Sequence, residues 1–170
     1  MLSRDNIIST TLLKLGEVSV YNDNRSEEYK IADKLLNNVI ENIASRNDFL
    51  FNSKTVELTS VGKDMITEEN IFNLPIDFLN KISFIDNEDA RLESEFIYSN
   101  SDTVKLQYCR KIDFSEFPNY LFNYIVYALS TEMAETYSVY NDRLGMLNSR
   151  LEQERANIYS IQYQYKKRVF

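Results

Sequence analysis

Four segments of the chain repeat apolar residues at the spacing of an amphipathic helix, in which one face is buried and the other is solvated. They predict helices over residues 3–15, 26–47, 115–139 and 141–165. The second segment has the clearest pattern, because its apolar residues recur at i, i+3, i+4 and i+7. These residues are Ala32, Leu35, Leu36, Val39, Ile40, Ile43 and Ala44.

The residues at the ends of these segments agree with helix termini. Ser3, Ser26 and Ser115 precede helical patterns, and a serine there can accept a hydrogen bond from a free amide of the first turn. Gly16 follows the first segment, where a left-handed residue commonly ends a helix. Pro118 falls in the first turn of the third segment, where its missing amide is not needed.

Between the second and third helices, apolar residues alternate with polar ones, which is typical of half-buried strands. The alternating stretches are residues 49–58, 81–85, 92–98 and 104–109. They predict a β-rich insertion over residues 49–110. The predicted fold class is therefore mainly α with a small antiparallel β insertion, a helical bundle of about four helices plus a β-rich excursion. We expect residues 1–170 to form a single domain.

Composition removes several kinds of chemistry. The sequence has no histidine, which excludes a catalytic triad with a histidine base, a histidine-ligated metal and a histidine proton shuttle. Cys109 is the only cysteine, so an internal disulfide and a multi-cysteine zinc site are excluded, and we expect it to pack in a strand. We therefore expect no enzymatic activity, no catalytic or metal-binding residues and no cofactor.

Two acidic groups are the candidates for chemistry. The run Asp86-Asn87-Glu88-Asp89 offers oxygen ligands for a hard cation, but it lacks the central glycine and distal glutamate of a calcium loop. A solvated turn is the favoured interpretation. Glu132 and Glu135, with Asp142 nearby, are more simply part of an exposed helix face than a catalytic pair.

Five tyrosines lie along the third predicted helix and in the turn after it. Their helical spacing and apolar neighbours favour packing, in a core or against a partner, over stacking on nucleobases. These residues are Tyr120, Tyr124, Tyr127, Tyr137 and Tyr140.

The net charge of −7 makes the chain acidic, so it would repel phosphate groups, which argues against specific binding of nucleic acid. No segment approaches the roughly 20 uninterrupted apolar residues of a membrane span. The first residues also lack the apolar region of a secretion signal. We therefore expect a protein that has no contact with a membrane and is made in the cytoplasm.

The C-terminal arm, defined as residues 163–170, combines aromatic residues with three adjacent cations on an otherwise acidic chain. It is either an ordinary solvated tail or an arm that inserts into an acidic or apolar groove of another subunit, and the sequence leaves both open. In the second case the predicted interface residues are Tyr163, Tyr165, Lys166, Lys167, Arg168 and Phe170.

In this order, the elements resemble the tail tubular protein A family, the head-to-tail adaptors of short-tailed phages. The resemblance covers most of the chain and rests on the order and spacing of its motifs. They are Ile7-Ile8 through Leu13-Lys14-Leu15-Gly16-Glu17, then Ala32-Asp33-Lys34-Leu35-Leu36-Asn37 through Ser45-Arg46-Asn47-Asp48-Phe49-Leu50-Phe51, the bend Leu74-Pro75-Ile76-Asp77-Phe78-Leu79, the strand Val104-Lys105-Leu106-Gln107-Tyr108, and Phe114-Ser115-Glu116-Phe117-Pro118 before two long helices.

This resemblance implies a structural virion protein of the tail or neck. Twelve copies of such a head–tail connector form a ring that contacts the portal protein and the tail nozzle or further ring proteins. DNA passes through the lumen during genome ejection without specific binding, because a like-charged lumen does not hold phosphates. The abundance of Asn, Ile, Lys and Tyr is also similar to ring proteins of crAss-like phages, and the sequence does not separate the two options.

Two further interpretations stay open. A helical protein-binding regulatory module of phage or bacterial origin would bind its partner through the long helices and form a stable dimer rather than a ring. A carboxylate-dependent hydrolase would need two acids that converge in a pocket, and the sequence offers no such pair.

Overall fold

The structure is a computed structural model in which the chain divides into two compact units. The described residues are 2–18, 23–46 and 49–168, and side chains are described as far as residue 164. The helical unit comprises Met1–Ile43 and Asp113–Phe170, and the β unit comprises Ala44–Ile112.

Four α-helices belong wholly or mainly to the helical unit. They are α1 (Arg4–Lys14), α2 (Glu27–Ser45), α3 (Phe122–Thr136) and α4 (Leu144–Arg168). Three 3-10 helices lie around α3, at Phe114–Glu116, Asn119–Leu121 and Ser138–Arg143. The last two residues of α2 are already part of the β unit.

Serine side chains begin α1 and α2, as the sequence predicts. The Ser3 hydroxyl accepts a hydrogen bond from the amide of Asn6 at 3.4 Å. The Ser26 hydroxyl accepts one from the amide of Tyr29 at 3.1 Å. Each bond satisfies an amide that has no partner within the helix, so both predicted caps are confirmed.

The end of α1 requires glycine. Gly16 has a φ of +85°, and the amides of Gly16 and Glu17 donate to the carbonyls of Leu13 and Leu12, which is a Schellman ending. A Cβ on Gly16 would lie 2.7 Å from the Arg143 guanidinium. The predicted left-handed cap is confirmed, and any side chain there would meet backbone strain and would displace the Arg143 guanidinium.

Ser115 does not cap the third helix. It lies inside the 3-10 helix Phe114–Glu116, whose N-cap is Asp113. Phe117 is extended, with ψ of 130°, because Pro118 disfavours a helical residue before it. The backbone therefore leaves helical geometry at Phe117, and α3 begins only at Phe122.

The core of the helical unit is built around α3, which packs against α1 and α4. Apolar side chains from these helices, from α2 and from the 3-10 helix Asn119–Leu121 are fully buried. They include Ile7, Ile8, Leu12, Leu36, Leu121, Ile125 and Leu129. The side chain of Arg4 ties α1 to α2, because its Nη2 lies 2.7 Å from the Asp33 carboxylate.

In the described part of the β unit, seven strands form two antiparallel sheets. They are β1 (Ser53–Thr59), β2 (Gly62–Lys63), β3 (Asn70–Asn73), β4 (Phe78–Ile85), β5 (Arg91–Glu93), β6 (Phe96–Ser99) and β7 (Thr103–Arg110). The three-stranded sheet has the order β1-β7-β4, and the four-stranded sheet has the order β2-β3-β6-β5.

Both sheets contribute to one apolar cluster in the β unit. Val104, Leu106 and Tyr108 alternate along β7 and are fully buried, as expected for one face of a strand. Phe72 of β3 and Ile97 of β6 are buried in the same cluster. The β unit therefore has a core of its own.

The predicted fold class is wrong. The chain is about 50% helix and 23% strand, with four helices and two antiparallel sheets, which makes it an α+β fold and not a mainly α bundle with a small insertion. Strands β2, β3 and β5 have two to four residues, too few for alternation to be recognised. We predicted a bend over residues 74–79 and a strand over residues 81–85, whereas β4 already begins at Phe78.

Candidate interaction surface

Helix α4 is long but buries few side chains. It spans 25 residues, and among the side chains described from 144 to 164 only Leu147, Ile158 and Gln162 are buried. Its exposed apolar or aromatic residues include Met146, Tyr159 and Tyr163. A helix that is exposed on most sides either lies in solvent or contacts a partner.

No helix in the described part of the chain has the length and apolar character needed to cross a membrane.

The predicted interface residues lie at the end of α4. The Tyr163 side chain is 62% exposed. The backbone is helical as far as Arg168, so the first six residues of the C-terminal arm continue α4. The side chains of Tyr165, Lys166, Lys167 and Arg168, and the whole of Phe170, lie outside the described residues.

A cleft of about 240 Å³ opens in the helical unit, where the start of α2 faces the end of α3. We call it the acidic cleft. Ile31, Met133 and Val139 give it apolar walls, and Val139 is 74% exposed. Glu27 and Glu28, in the first turn of α2, place two carboxylates at the same cleft.

Tyr140 lines the acidic cleft and is surrounded by carboxylates. Its hydroxyl donates a hydrogen bond to Glu17 at 2.9 Å. Burial, this hydrogen bond and the negative charges of Glu17 and Glu28 raise the pKa of Tyr140 to about 12. Lys30 pairs with Glu27 at 3.0 Å and offsets part of that charge, so Glu28 and Glu17 supply most of the unpaired negative charge beside Tyr140.

The tyrosines predicted to pack divide into two groups. Tyr124 and Tyr140 are 3% and 7% exposed, which confirms packing for these two. The other three are half-buried. Among them, the Tyr127 ring lies 5.5 Å from the Lys14 ammonium, and the Tyr137 ring meets Tyr140 edge-on, with 6.4 Å between centroids.

The β unit presents an apolar tip in the loop between β2 and β3. Met65 is fully exposed and Ile66 is 92% exposed. The Asp64 carboxylate accepts hydrogen bonds from the amides of Ile66 and Thr67, both at 2.8 Å, and these bonds lower the pKa of Asp64. A loop fixed in this way offers two apolar side chains whose backbone is already ordered.

Arg91 bonds to Glu69, at the end of the loop that carries this tip. Its guanidinium donates to both carboxylate oxygens of Glu69, and the Nη2 contact is 2.6 Å. It also donates to Glu93 at 2.5 Å and lies 5.2 Å from the Tyr98 ring centroid. The hydrogen bonds from Arg91 lower the pKa of Glu69.

The acidic run of residues 86–89 forms a turn that is bonded to the protein itself. Asp89 accepts hydrogen bonds from the Asn100 amide at 2.6 Å and the Ser99 hydroxyl at 2.8 Å, which lower the pKa of Asp89. The Asn87 carboxamide bonds to the backbone of β7. Nowhere in residues 2–18, 23–46 and 49–168 do three or more possible metal-binding side chains gather.

The remaining residues that the sequence singled out have structural positions. Glu135 and Asp142 are exposed, and Glu132 is half-buried. Cys109 is fully buried in β7, with its Sγ 3.4 Å from the Arg46 carbonyl, which confirms the prediction of a residue packed in a strand.

The sequence patterns missed both the apolar tip and the acidic cleft. The tip lies between the alternating stretches of residues 49–58 and 81–85. Its signal is the adjacent apolar pair Met65 and Ile66 directly after Asp64, whose side chain can fix a turn onto Thr67. The cleft joins residues more than 100 positions apart, such as Glu28 and Tyr140, and a single sequence gives no signal for that proximity.

No protein-family model matches the sequence, and no curated protein is significantly similar to it. The resemblance to the tail tubular protein A family therefore rests on the order of the motifs alone.

Proposed function

We propose that this protein is a structural component of a phage virion, a head-to-tail adaptor that forms a ring between the portal and the tail, and that it is not an enzyme. Its proposed location is the tail or neck of the virion, after assembly in the host cytoplasm. Its proposed partners are further copies of itself, the portal protein, and the tail nozzle or other ring proteins.

The exposure of α4 is the observation that carries this proposal. Only Leu147, Ile158 and Gln162 are buried among its described side chains, although the helix is 25 residues long. The helical unit therefore buries only a small part of the surface of α4. In a ring, helices of neighbouring subunits lie side by side, and aromatic groups such as Tyr159 and Tyr163 supply contact area at low entropic cost.

The proposal gives the perturbed carboxylates a structural role. Asp64, Glu69 and Asp89 have lowered pKa values because each accepts hydrogen bonds that fix a turn or a strand of the β unit. A catalytic acid would instead need a raised pKa near the working pH.

The proposed mechanism is geometric. Rigid subunits form the ring, and DNA passes through its lumen without specific contacts, because the acidic chain repels phosphates. The C-terminal arm supplies contacts to another subunit or to the portal.

The proposal is tested by imaging the purified protein mixed with the portal of its own phage. We expect a second ring stacked on the portal. Deletion of residues 163–170 is expected to leave the thermal unfolding transition within a few degrees of the parent but to abolish attachment to the portal. A stable dimer that never forms a ring would contradict the adaptor and favour the regulatory module.

A further inference from the structure

The acidic cleft has the size and chemistry of a site for a protein side chain. Its volume of about 240 Å³ is below the roughly 300–1,000 Å³ of typical small-molecule pockets. Its walls are apolar at Ile31 and Val139, and Glu27 and Glu28 are negatively charged. A segment that combines cations with apolar or aromatic groups is complementary to both features.

The C-terminal arm has this composition. Lys166, Lys167 and Arg168 are consecutive cations, preceded by Tyr165 and followed by Val169-Phe170, on a chain with a net charge of −7. The rest of the sequence contains no run of three basic residues. Among the segments of this chain, the C-terminal arm is therefore the one whose charge best complements the acidic cleft.

An arm cannot reach the acidic cleft of its own chain. Val139 and Tyr140 belong to the 3-10 helix Ser138–Arg143, which leads directly into α4 at Leu144. At 1.5 Å per residue, a continuous helix places Lys166 about 33 Å along the axis from Leu144. The cations thus lie at the far end of the same helix whose beginning adjoins the cleft.

We propose that the C-terminal arm of one chain occupies the acidic cleft of a second copy. This contact deepens the proposed ring function and rests on it. The cations would pair with Glu27 and Glu28, and an aromatic side chain of the arm would cover Val139. Because arm and cleft are different surfaces at opposite ends of α4, the contact is head-to-tail, the type that forms a ring when the rotation between successive copies closes.

Paired cysteines test the contact directly. One full-length chain carries Val139→Cys and a second, distinguishable by its tag, carries Phe170→Cys. After mixing and mild oxidation we expect a disulfide between the two chains. The matched control is Val61→Cys with Phe170→Cys, because Val61 is exposed in the β unit. Cys109 is buried and does not compete. Equal yields from both pairs would overturn the proposal.

Charge reversal gives a second readout. In the Val139→Cys chain, Glu27→Lys with Glu28→Lys is expected to lower the disulfide yield at least fivefold. Lys166→Glu with Lys167→Glu in the Phe170→Cys chain should lower it similarly, and combining both reversals should restore most of it. Two reversals that leave the yield unchanged, or a double reversal that restores nothing, would overturn the proposal.

The mass of the complex separates this contact from the ring itself. A ring that forms without the Val139–Phe170 disulfide overturns the proposed contact and leaves the adaptor function standing. The specific disulfide in chains that form no ring supports the contact and contradicts the ring. The absence of both contradicts both.

Discussion

The contacts that stabilise the interior of the β unit differ in kind from those that stabilise the helical unit. In the β unit, side-chain hydrogen bonds tie loops to strands, as when Asp89 accepts from Asn100 and Arg91 donates to Glu69. The helical unit is held mainly by an apolar core around α3, while α4 leaves most of its surface exposed. The β unit therefore fixes its loops largely through polar side chains, whereas the helical unit leaves one face of a long helix exposed.

Backbone geometry shows the same difference. Among the described residues, three non-glycine residues have positive φ, and all lie in the β unit: Glu68, Asp86 and Ser94. The corresponding position in the helical unit is Gly16, which adopts a φ of +85° without strain from a side chain. The β unit thus tolerates strained turns of order 1 kcal/mol each. The turn at Glu68 is held by a hydrogen bond from its amide to the Asp64 carbonyl at 3.0 Å.

The largest expected effect is the loss of the core of the β unit. Phe72→Ala removes a fully buried ring, so we expect the free energy of unfolding to fall by about 3–5 kcal/mol. Phe96→Ala, in the neighbouring strand, is the control, because Phe96 is 39% exposed and should cost much less. Urea denaturation measures both. Similar losses from the two variants would contradict the assigned core.

A smaller effect is expected from a single hydrogen bond inside the β unit. The Tyr108 hydroxyl donates to the Asp77 carboxylate at 2.7 Å, and Lys54 lies 3.4 Å from the same carboxylate. Tyr108→Phe should destabilise the protein by about 1–2 kcal/mol at pH 7. Tyr98→Phe is the control, because it removes a hydroxyl from a half-buried ring in the same unit.

The same variant should change the acid limb of the stability curve. The bond from Tyr108 is the main cause of the lowered pKa of Asp77, whose ordinary value is 3.8. The stabilisation is therefore complete above about pH 4 and is lost as the pH falls through the lower pKa of the folded state. Tyr108→Phe should flatten this loss. An unchanged acid limb would show that the bond does not form in solution.

The sequence indicated the helices better than the sheets, and the reason is physical. A helix such as α2 repeats its apolar face over 19 residues, and its cap at Ser26 is local, so both were predictable. Strands such as β2, with two residues, exist because partner strands pair with them. That pairing depends on residues far along the chain, which a local pattern does not contain.

The candidate surface was predictable only in part. The cations of the C-terminal arm are recognisable in an acidic sequence. The acidic cleft was not predictable, because it combines Glu28 of α2 with Tyr140 of a 3-10 helix that is distant in the sequence. Ser115 was predicted as a cap because its type and position fit, but Pro118 changes the backbone before it.

The next effect is smaller again and depends on salt. Arg91→Gln removes the guanidinium that pairs with Glu69 and Glu93, so we expect a loss of stability at low salt that is smaller than the loss from Tyr108→Phe, because the pairs are partly exposed. The loss should shrink in 1 M salt, where charges are screened over about 3 Å. Thermal denaturation at two salt concentrations measures it. A loss that is independent of salt would indicate packing as its cause.

The smallest effect on stability should come from the exposed face of α4. Tyr159→Ala combined with Tyr163→Ala should change the free energy of unfolding by less than about 0.5 kcal/mol, because both side chains are exposed. Assembly should nevertheless be lost, as measured by sedimentation. Asn148→Ala, at another exposed position of α4, is the control and should retain assembly. A stable complex from the double variant would remove these tyrosines from the interface.

The central claim is that copies of this chain join through surface that a single copy leaves exposed. The mass of the purified full-length protein in solution, alone and with the portal of its phage, tests it most directly. We expect a closed complex of about twelve times the 20.0 kDa of one chain, formed alone or on the portal. A mass of 20.0 kDa under both conditions would contradict the claim.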